Sequence, residues 1–258
     1  GHTQSREILK LADNRIKAEE LTVPYKPYSE DFFELVDRDL LLADSDAGNA
    51  SMQYIWARFH DNKGPKIDIA VLKKYYTMPA KQGYAPAQAN LAYYYSSAKG
   101  EDRNEMKAVE LYTLAANQGN HIAQYNLGLF YLKGRTVTRN IKTGIELITK
   151  AAEGGNKYAH YSIGSFLCRG KYELKKDLKA GTTWLRKSID NGHLDAVQNY
   201  HHFTGFCYPR KERFAFQIEV LRKGAEAGHA YSMGCPGRTM INCDFIHTDR
   251  VQGAKWYQ

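Results

Sequence analysis

The chain has 258 residues, 43% of them hydrophobic and 25% charged, the make-up of an ordinary folded protein rather than a disordered or fibrous one. No run of 18 apolar residues occurs, which excludes a membrane-spanning helix, and four cysteines are too few for a disulfide-dense scaffold. The net charge of +8 is uneven: residues 1–65 carry 8 Lys and Arg against 12 Asp and Glu (net −4), and the rest carries 28 against 16 (net +12). Such a basic body steers toward an acidic protein, nucleic acid or an anionic lipid surface, or it is a solvated exterior.

In chain order, the first expected element is an isolated amphipathic helix over Glu7–Glu20. The extended linker Val23-Pro24-Tyr25-Lys26-Pro27-Tyr28 follows, so residues 1–28 stand apart. Ser29 reads as an N-cap, with Glu30 and Asp31 in the first turn of a capping helix that runs to Asp46, within segment 29–48. Glycine then recurs on a near-fixed beat, at Gly48, Gly83, Gly119, Gly155, Gly192 and Gly228, with spacings of 35, 36, 36, 37 and 36 residues. A period of this size marks a stacked array, whose units bury their apolar faces against their neighbours. Residues 49–258 are therefore expected to hold about six units, the last incomplete.

Each unit reads as two helices. Four residues after the glycine comes a small side chain (Ala87, Ala123, Ala159, Ala196, Ser232), with Met52 in that place in the first unit. Eight and nine residues after come Leu91-Ala92, Leu127-Gly128 and Ile163-Gly164, with Trp56-Ala57 in the first unit; twelve after come Tyr95, Tyr131 and Leu167. These offsets share one face of a helix A. A polar glycine loop follows, such as Lys133-Gly134-Arg135 or Arg169-Gly170-Lys171. Helix B then runs through Lys107-Ala108-Val109-Glu110-Leu111-Tyr112-Thr113-Leu114-Ala115-Ala116, or presents Gly144, Ile148, Ala151 and Ala152, or Gly181, Trp184, Leu185 and Ile189, and stops at the next glycine. Pro236-Gly237 interrupts the sixth helix A, and Trp256-Tyr257 falls in register with Leu111-Tyr112, so the sequence is expected to stop inside a helix B.

Helix A positions turned away from those buried offsets should line an inner groove. They are rich in rings and arginine: Tyr54 and Arg58, Tyr93, Tyr125 and Leu129 (with Leu132), Tyr158, Tyr161 and Arg169 (with Cys168), then His201 and Phe206 (with Asp195 and Gln198). Tyr and Arg in such places are the usual anchors of protein interfaces, and packing between adjacent helices is the alternative use of the rings. Catalytic signatures are poor. Ser96-Ser97-Ala98-Lys99 and Lys142-Thr143-Gly144 mimic motifs of penicillin-recognising enzymes, but Gly144 holds the repeat place of Ala108. No Cys-x-x-Cys or His-x-x-x-His spacing supports a metal; His229, Cys235, Cys243 and His247 are the candidate ligands, with a Cys235–Cys243 disulfide or free thiols as alternatives. The inner positions also lack the recurring polar code of helical-repeat RNA readers, so no nucleic-acid partner is expected.

The pattern Ala-x-x-x-Leu-Gly-x-x-Tyr, a glycine loop and Lys-Ala-x-x-Leu-Tyr-x-x-Ala-Ala-x-x-Gly resembles the Sel1-like repeat, most clearly over Ala123–Gly155 and Ala87–Gly119. The resemblance extends from about Ser29 to the C-terminus and implies an all-α, right-handed α/α solenoid of tetratricopeptide-like repeats. It further implies a non-enzymatic protein-binding module without a cofactor. The Tyr25-Lys26-Pro27-Tyr28 block, the basic array and the Lys255-Trp256-Tyr257 end are similar to a bacterial subset that serves as immunity proteins to phospholipase effectors of type VI secretion. That likeness implies a cognate toxin as partner and a periplasmic location reached through a signal peptide upstream of the present start, with the cytoplasm as the alternative. A scaffold in a signalling or envelope-assembly complex is the other reading.

Overall fold

The computed structural model describes residues 7, 38–61, 69–98, 100–207 and 219. The linker, the Cys235 and Cys243 pair, His229, His247 and the C-terminal Trp256-Tyr257 lie outside these residues, as does the N-terminal helix except for Glu7. Among the described residues, all regular structure is helical. In chain order the helices are α1 (Arg38–Asp46), α2 (Ala50–Asp61), α3 (Ile69–Lys81), α4 (Ala85–Ser97), α5 (Glu105–Asn117), α6 (His121–Lys133), α7 (Ile141–Glu153), α8 (Lys157–Arg169), α9 (Leu178–Asp190) and α10 (Ala196–Cys207), with one 3₁₀ turn at Gly100–Asp102. This is the α/α solenoid architecture, and the chain forms two compact units, one ending at Gly154 and the other starting at Gly155. In the first, each helix from α1 to α7 packs on the next; in the second, α8 packs on α9 and α9 on α10.

The repeat glycines act as helix stops. At Gly119 φ is +88°, its N–H donates to Ala116 O, and the N–H of Asn120 donates to Ala115 O, both at 3.0 Å. Those two bonds close the end of α5 in a Schellman turn, which needs the left-handed residue at this place. Asn120 then starts α6, its side chain accepting from the Ala123 N–H at 2.9 Å. Asn49 and Asn156 repeat the arrangement, so stop and start occupy two adjacent residues.

Inside each A–B pair the helices approach at small residues. A Cβ on Gly128 would lie 2.6 Å from Ile148 Cγ1 and 2.8 Å from the Gly144 carbonyl. Gly164 and Gly181 make the same close approach across α8 and α9. Lys142-Thr143-Gly144 is thus a helix start and a packing contact: the Thr143 N–H caps onto Asn140, and Gly144 lies under Leu132. Around these contacts the cores gather Leu41, Ile55, Tyr76 and Leu91, then Ala92, Ala108, Tyr112 and Leu127, and in the second unit Leu185, Ile189, Val197 and Tyr200.

A chain of side-chain amides joins helix A to the B helix before it. Gln53, Gln88 and Gln124, each five residues past a repeat glycine, donate to the carbonyls of Ser45, Ala80 and Ala116 at 3.1, 3.2 and 3.4 Å. Gln82 and Gln118, at the ends of the B helices, donate in turn to Gln53 and Gln88 at 2.9 Å. At the corresponding place Gly154 has no side chain; the His121 ring fills the space and sets Nδ1 3.1 Å from Gln124 Oε1. In the second unit His160 and Asn191 form the link at 3.3 Å.

The intervals differ in length only at one kind of place from α4 onward. Helices α4 to α9 are all 13 residues long. The interval of 37 arises because the loop between α8 and α9 spans 170–177, one residue more than the 134–140 loop between α6 and α7. That longer loop holds Tyr172 and Glu173 at φ +55° and +64°.

Candidate protein-binding surface

In the first unit, the C-terminal ends of α4 and α6 and the start of α5 border an open notch of about 180 Å³ lined by Ser96, Arg103, Glu105, Asn126, Leu129, Phe130, Lys133 and Arg135. Glu105 sits on its rim between two guanidiniums. Arg103 donates to Oε1 through Nε at 3.1 Å and also through Nη2, Arg135 donates to the same oxygen, and the Thr136 hydroxyl donates to Oε2 at 3.0 Å. The Arg103 hydrogen bond, aided by Thr136 and Arg135, holds the Glu105 carboxyl below its ordinary 4.5 against the opposing effect of burial. Thr136 makes its bond from φ +66°, a left-handed backbone that a β-branched residue adopts at a cost of about 1–3 kcal/mol.

In the second unit, His193 follows Gly192 and inserts its ring between two tyrosines, 4.8 Å from Tyr158 and 5.1 Å edge-on to Tyr161. The Tyr161 hydroxyl accepts from Asn199 Nδ2 at 2.6 Å. Asn199 Oδ1 in turn accepts from Arg169 at 3.4 Å, and the Arg169 guanidinium lies 5.1 Å over the Phe203 ring and also donates to Ser165. Burial lowers the His193 pKa below 6.5, with Lys157 acting in the same direction and Asp195 opposing, so the ring is neutral at pH 7.

The Sel1 repeat family model matches residues 85–120, 121–156 and 157–193. The chain carries three Sel1 repeats. No curated protein matches the sequence. Among solved structures, it is similar to a Sel1 repeat protein from Oxalobacter formigenes at 21% identity and a TM-score of 0.67, over 83% of this chain and 87% of that one. It is also similar to c5321, a protective antigen of uropathogenic Escherichia coli strains with an SLR fold, at 22% identity and a TM-score of 0.69. That match takes in 86% of this chain and 48% of the antigen, so the chain spans about half the antigen's length. Immunity protein Pa5087 from Pseudomonas aeruginosa aligns at 15% identity and a TM-score of 0.52, over 80% of this chain and 75% of that one. These likenesses show a common fold.

The Sel1 repeats place the expected groove residues unequally. Tyr93 and Phe206 are exposed, at 40% and 69%. Arg169 is exposed as well, while Arg58, Tyr125, Leu129, Tyr158, Tyr161 and His201 are half-buried. Tyr54 corrects the expectation: it is 6% exposed, its ring 5.4 Å from Tyr84 and 5.7 Å from Tyr76, its hydroxyl accepting from Asn90 at 3.2 Å. Leu132 and Cys168 are also buried, against Gly144 and Gly181 of their own B helices. In α2, α4 and α6 the reason is that helix A is packed against both its own B helix and the previous one, so its buried arc is wider than offsets 4, 8 and 12 suggest. Tyr95, Tyr131 and Leu167, at offset 12, are only half-buried.

The structure joins Tyr158, Tyr161 and Arg169 through His193 and Asn199, two residues that the groove positions do not include. A sequence signal for this exists. Tyr54 pairs with Asn90 and Tyr161 with Asn199, in both cases a tyrosine six residues past one repeat glycine and an asparagine seven past the next. Before Asn126 the matching position is Ala89, and the Asn126 amide bonds to its own helix at Ile122 O, 3.0 Å, while lining the notch. The Ser96 and Ser97 hydroxyls both donate to Tyr93 O at 2.8 Å, a helix-end use of the Ser-x-x-Lys match. Among the described residues no group of three or more His, Cys, Asp or Glu is placed to hold a metal, and no helix is long and apolar enough to cross a membrane.

Proposed function

We propose that this Sel1-repeat protein is a non-enzymatic protein-binding module, and specifically an immunity protein that binds and occludes a cognate type VI secretion effector of the phospholipase type in the periplasm. The observation that carries the binding reading is the tyrosine and arginine surface of the second unit, where Tyr158, Tyr161 and Arg169 are held in place by His193 and Asn199. Pre-ordered rings and guanidiniums lose little freedom on binding, and such residues dominate interface energetics. The immunity reading draws on the fold likeness to immunity protein Pa5087.

A scaffold is the second reading, favoured by the presence of two chemically different patches, an acid-bridged basic notch in the first unit and an aromatic cluster in the second. The test is binding to a purified type VI phospholipase effector, by calorimetry. Tyr93→Ala with Phe206→Ala removes two exposed rings, so the fold is kept and affinity should fall about 30-fold or more, the equivalent of 2 kcal/mol. Unchanged affinity in the folded double variant would go against these surfaces. A single partner at 1:1 supports the immunity reading, whereas several partners of moderate affinity support the scaffold. Fractionation of the source cells checks the periplasmic placement.

A further inference from the structure

We infer that the notch of the first unit is a docking site for an acidic, apolar-tipped segment of the partner protein. The inference rests on the protein-binding reading above and adds the chemistry of what is bound. Three cations, Arg103, Lys133 and Arg135, face one anion, Glu105, so the notch keeps an excess of two positive charges. Glu105 shows how a carboxylate is received there, with two guanidiniums on one oxygen and the Thr136 hydroxyl on the other. Lys133 ends α6 on the same wall.

Leu129 and Phe130 give the notch an apolar side between these cations, and Asn126 and Ser96 supply polar atoms at its edges. A bare anion would leave that apolar side unused, whereas a loop carrying Asp or Glu around a Leu or Phe fills both. Ala89 stands in the repeat place of Tyr54 and Tyr161, which elsewhere reach the asparagine of the next helix A, and the Asn126 amide bonds to Ile122 O instead. The Thr136 backbone, held left-handed to present its hydroxyl, is the kind of stored strain found where a loop is shaped for binding.

The experiment is an NMR titration of the whole labelled protein, following the Nε–H groups of Arg103 and Arg135 and the Asn126 side-chain amide. The probes are an acetylated acidic peptide, Gly-Asp-Glu-Leu-Phe-Glu-Asp-Gly, its Asn/Gln isostere, and inorganic phosphate. The expected result is saturable shifts with the acidic peptide, at least tenfold weaker binding of the isostere, and binding that weakens between 50 and 200 mM salt. Lys133→Glu with Arg135→Glu should weaken the peptide at least tenfold while leaving the helical circular dichroism unchanged. If that pair misfolds, Lys133→Gln alone, which removes a charge at an exposed site, should still weaken it measurably.

No shifts, equal response to the isostere, or phosphate matching the peptide would overturn the proposal, the last outcome marking a simple anion site. Applied to effector binding, the charge reversal separates the two readings. Effector affinity unchanged by the reversal overturns the notch alone. An effector that binds neither form goes against the immunity reading, and the peptide titration then judges the notch.

Discussion

Gly128 within α6 and Gly119 in the turn before it are required for different reasons, and substitution separates them. Gly128→Ala would drive a methyl into Ile148 and the Gly144 carbonyl, so it should cost about 1–3 kcal/mol by overpacking, read as a lower urea midpoint. At Gly119 a methyl meets nothing within 4 Å, and Gly119→Ala should cost about 1–2 kcal/mol from the φ of +88° alone. Sequence spacing singled out both, yet only as small residues and stops; that Gly128 and Gly144 face each other depends on how two helices cross. His193 was not legible at all, because its role comes from Tyr158 and Tyr161 closing over it more than 30 positions back. Its pKa is lowered by folding, so the unfolded chain takes up the proton first as pH drops. Its contribution to stability is therefore full above pH 6.5 and is lost as pH falls below that, through the lower folded value. His193→Gln should flatten this part of the stability–pH curve, measured by urea unfolding between pH 7.5 and 5.

At the level of elements, helix positions and order follow from the glycine beat with little further input. Expected B-helix faces such as Ala108 and Ala115, or Leu185 and Ile189, are buried as their periodicity implies. The A helices read less well, since a helix enclosed on several sides has no clean apolar stripe, and Tyr54, Leu132 and Cys168 were assigned outward on that account. The amide links escaped pattern reading because Gln is ordinarily a surface residue, although Gln53, Gln88 and Gln124 share one offset. Gln88→Ala should destabilise by about 1–3 kcal/mol, because it removes two hydrogen bonds of a buried amide, the one to the Ala80 carbonyl and the one from Gln118. Gln88→Leu, which keeps the volume, should cost a similar amount, and a thermal melt of the two variants tells polar loss from cavity formation. Asn156→Ala should cost about 1 kcal/mol through the two N–H groups it caps, at Tyr158 and Ala159.

For the whole molecule, the +8 charge sets how it meets a partner more than how tightly it holds one. Association with an acidic protein partner should slow about tenfold or more between 50 and 500 mM salt while dissociation changes less, an outcome read by stopped-flow mixing. The candidate surface was legible in the sequence as a class of residues, Tyr and Arg on helix A, but not as two separate patches. The basic notch depends on Arg103, Glu105 and Arg135, which belong to loops and a helix start, where periodicity carries no signal. The amide links have a consequence for descent. A duplication copied from glycine to glycine carries both the Gln that donates and the B-helix end that receives its neighbour, so whole repeats can be added or lost without new mutations at the joint. The loop between α8 and α9 is one residue longer than the one between α6 and α7, yet the helices on either side of it keep their 13 residues. Such a lineage can alter its length by copying and its recognition by editing loops, each without disturbing the other.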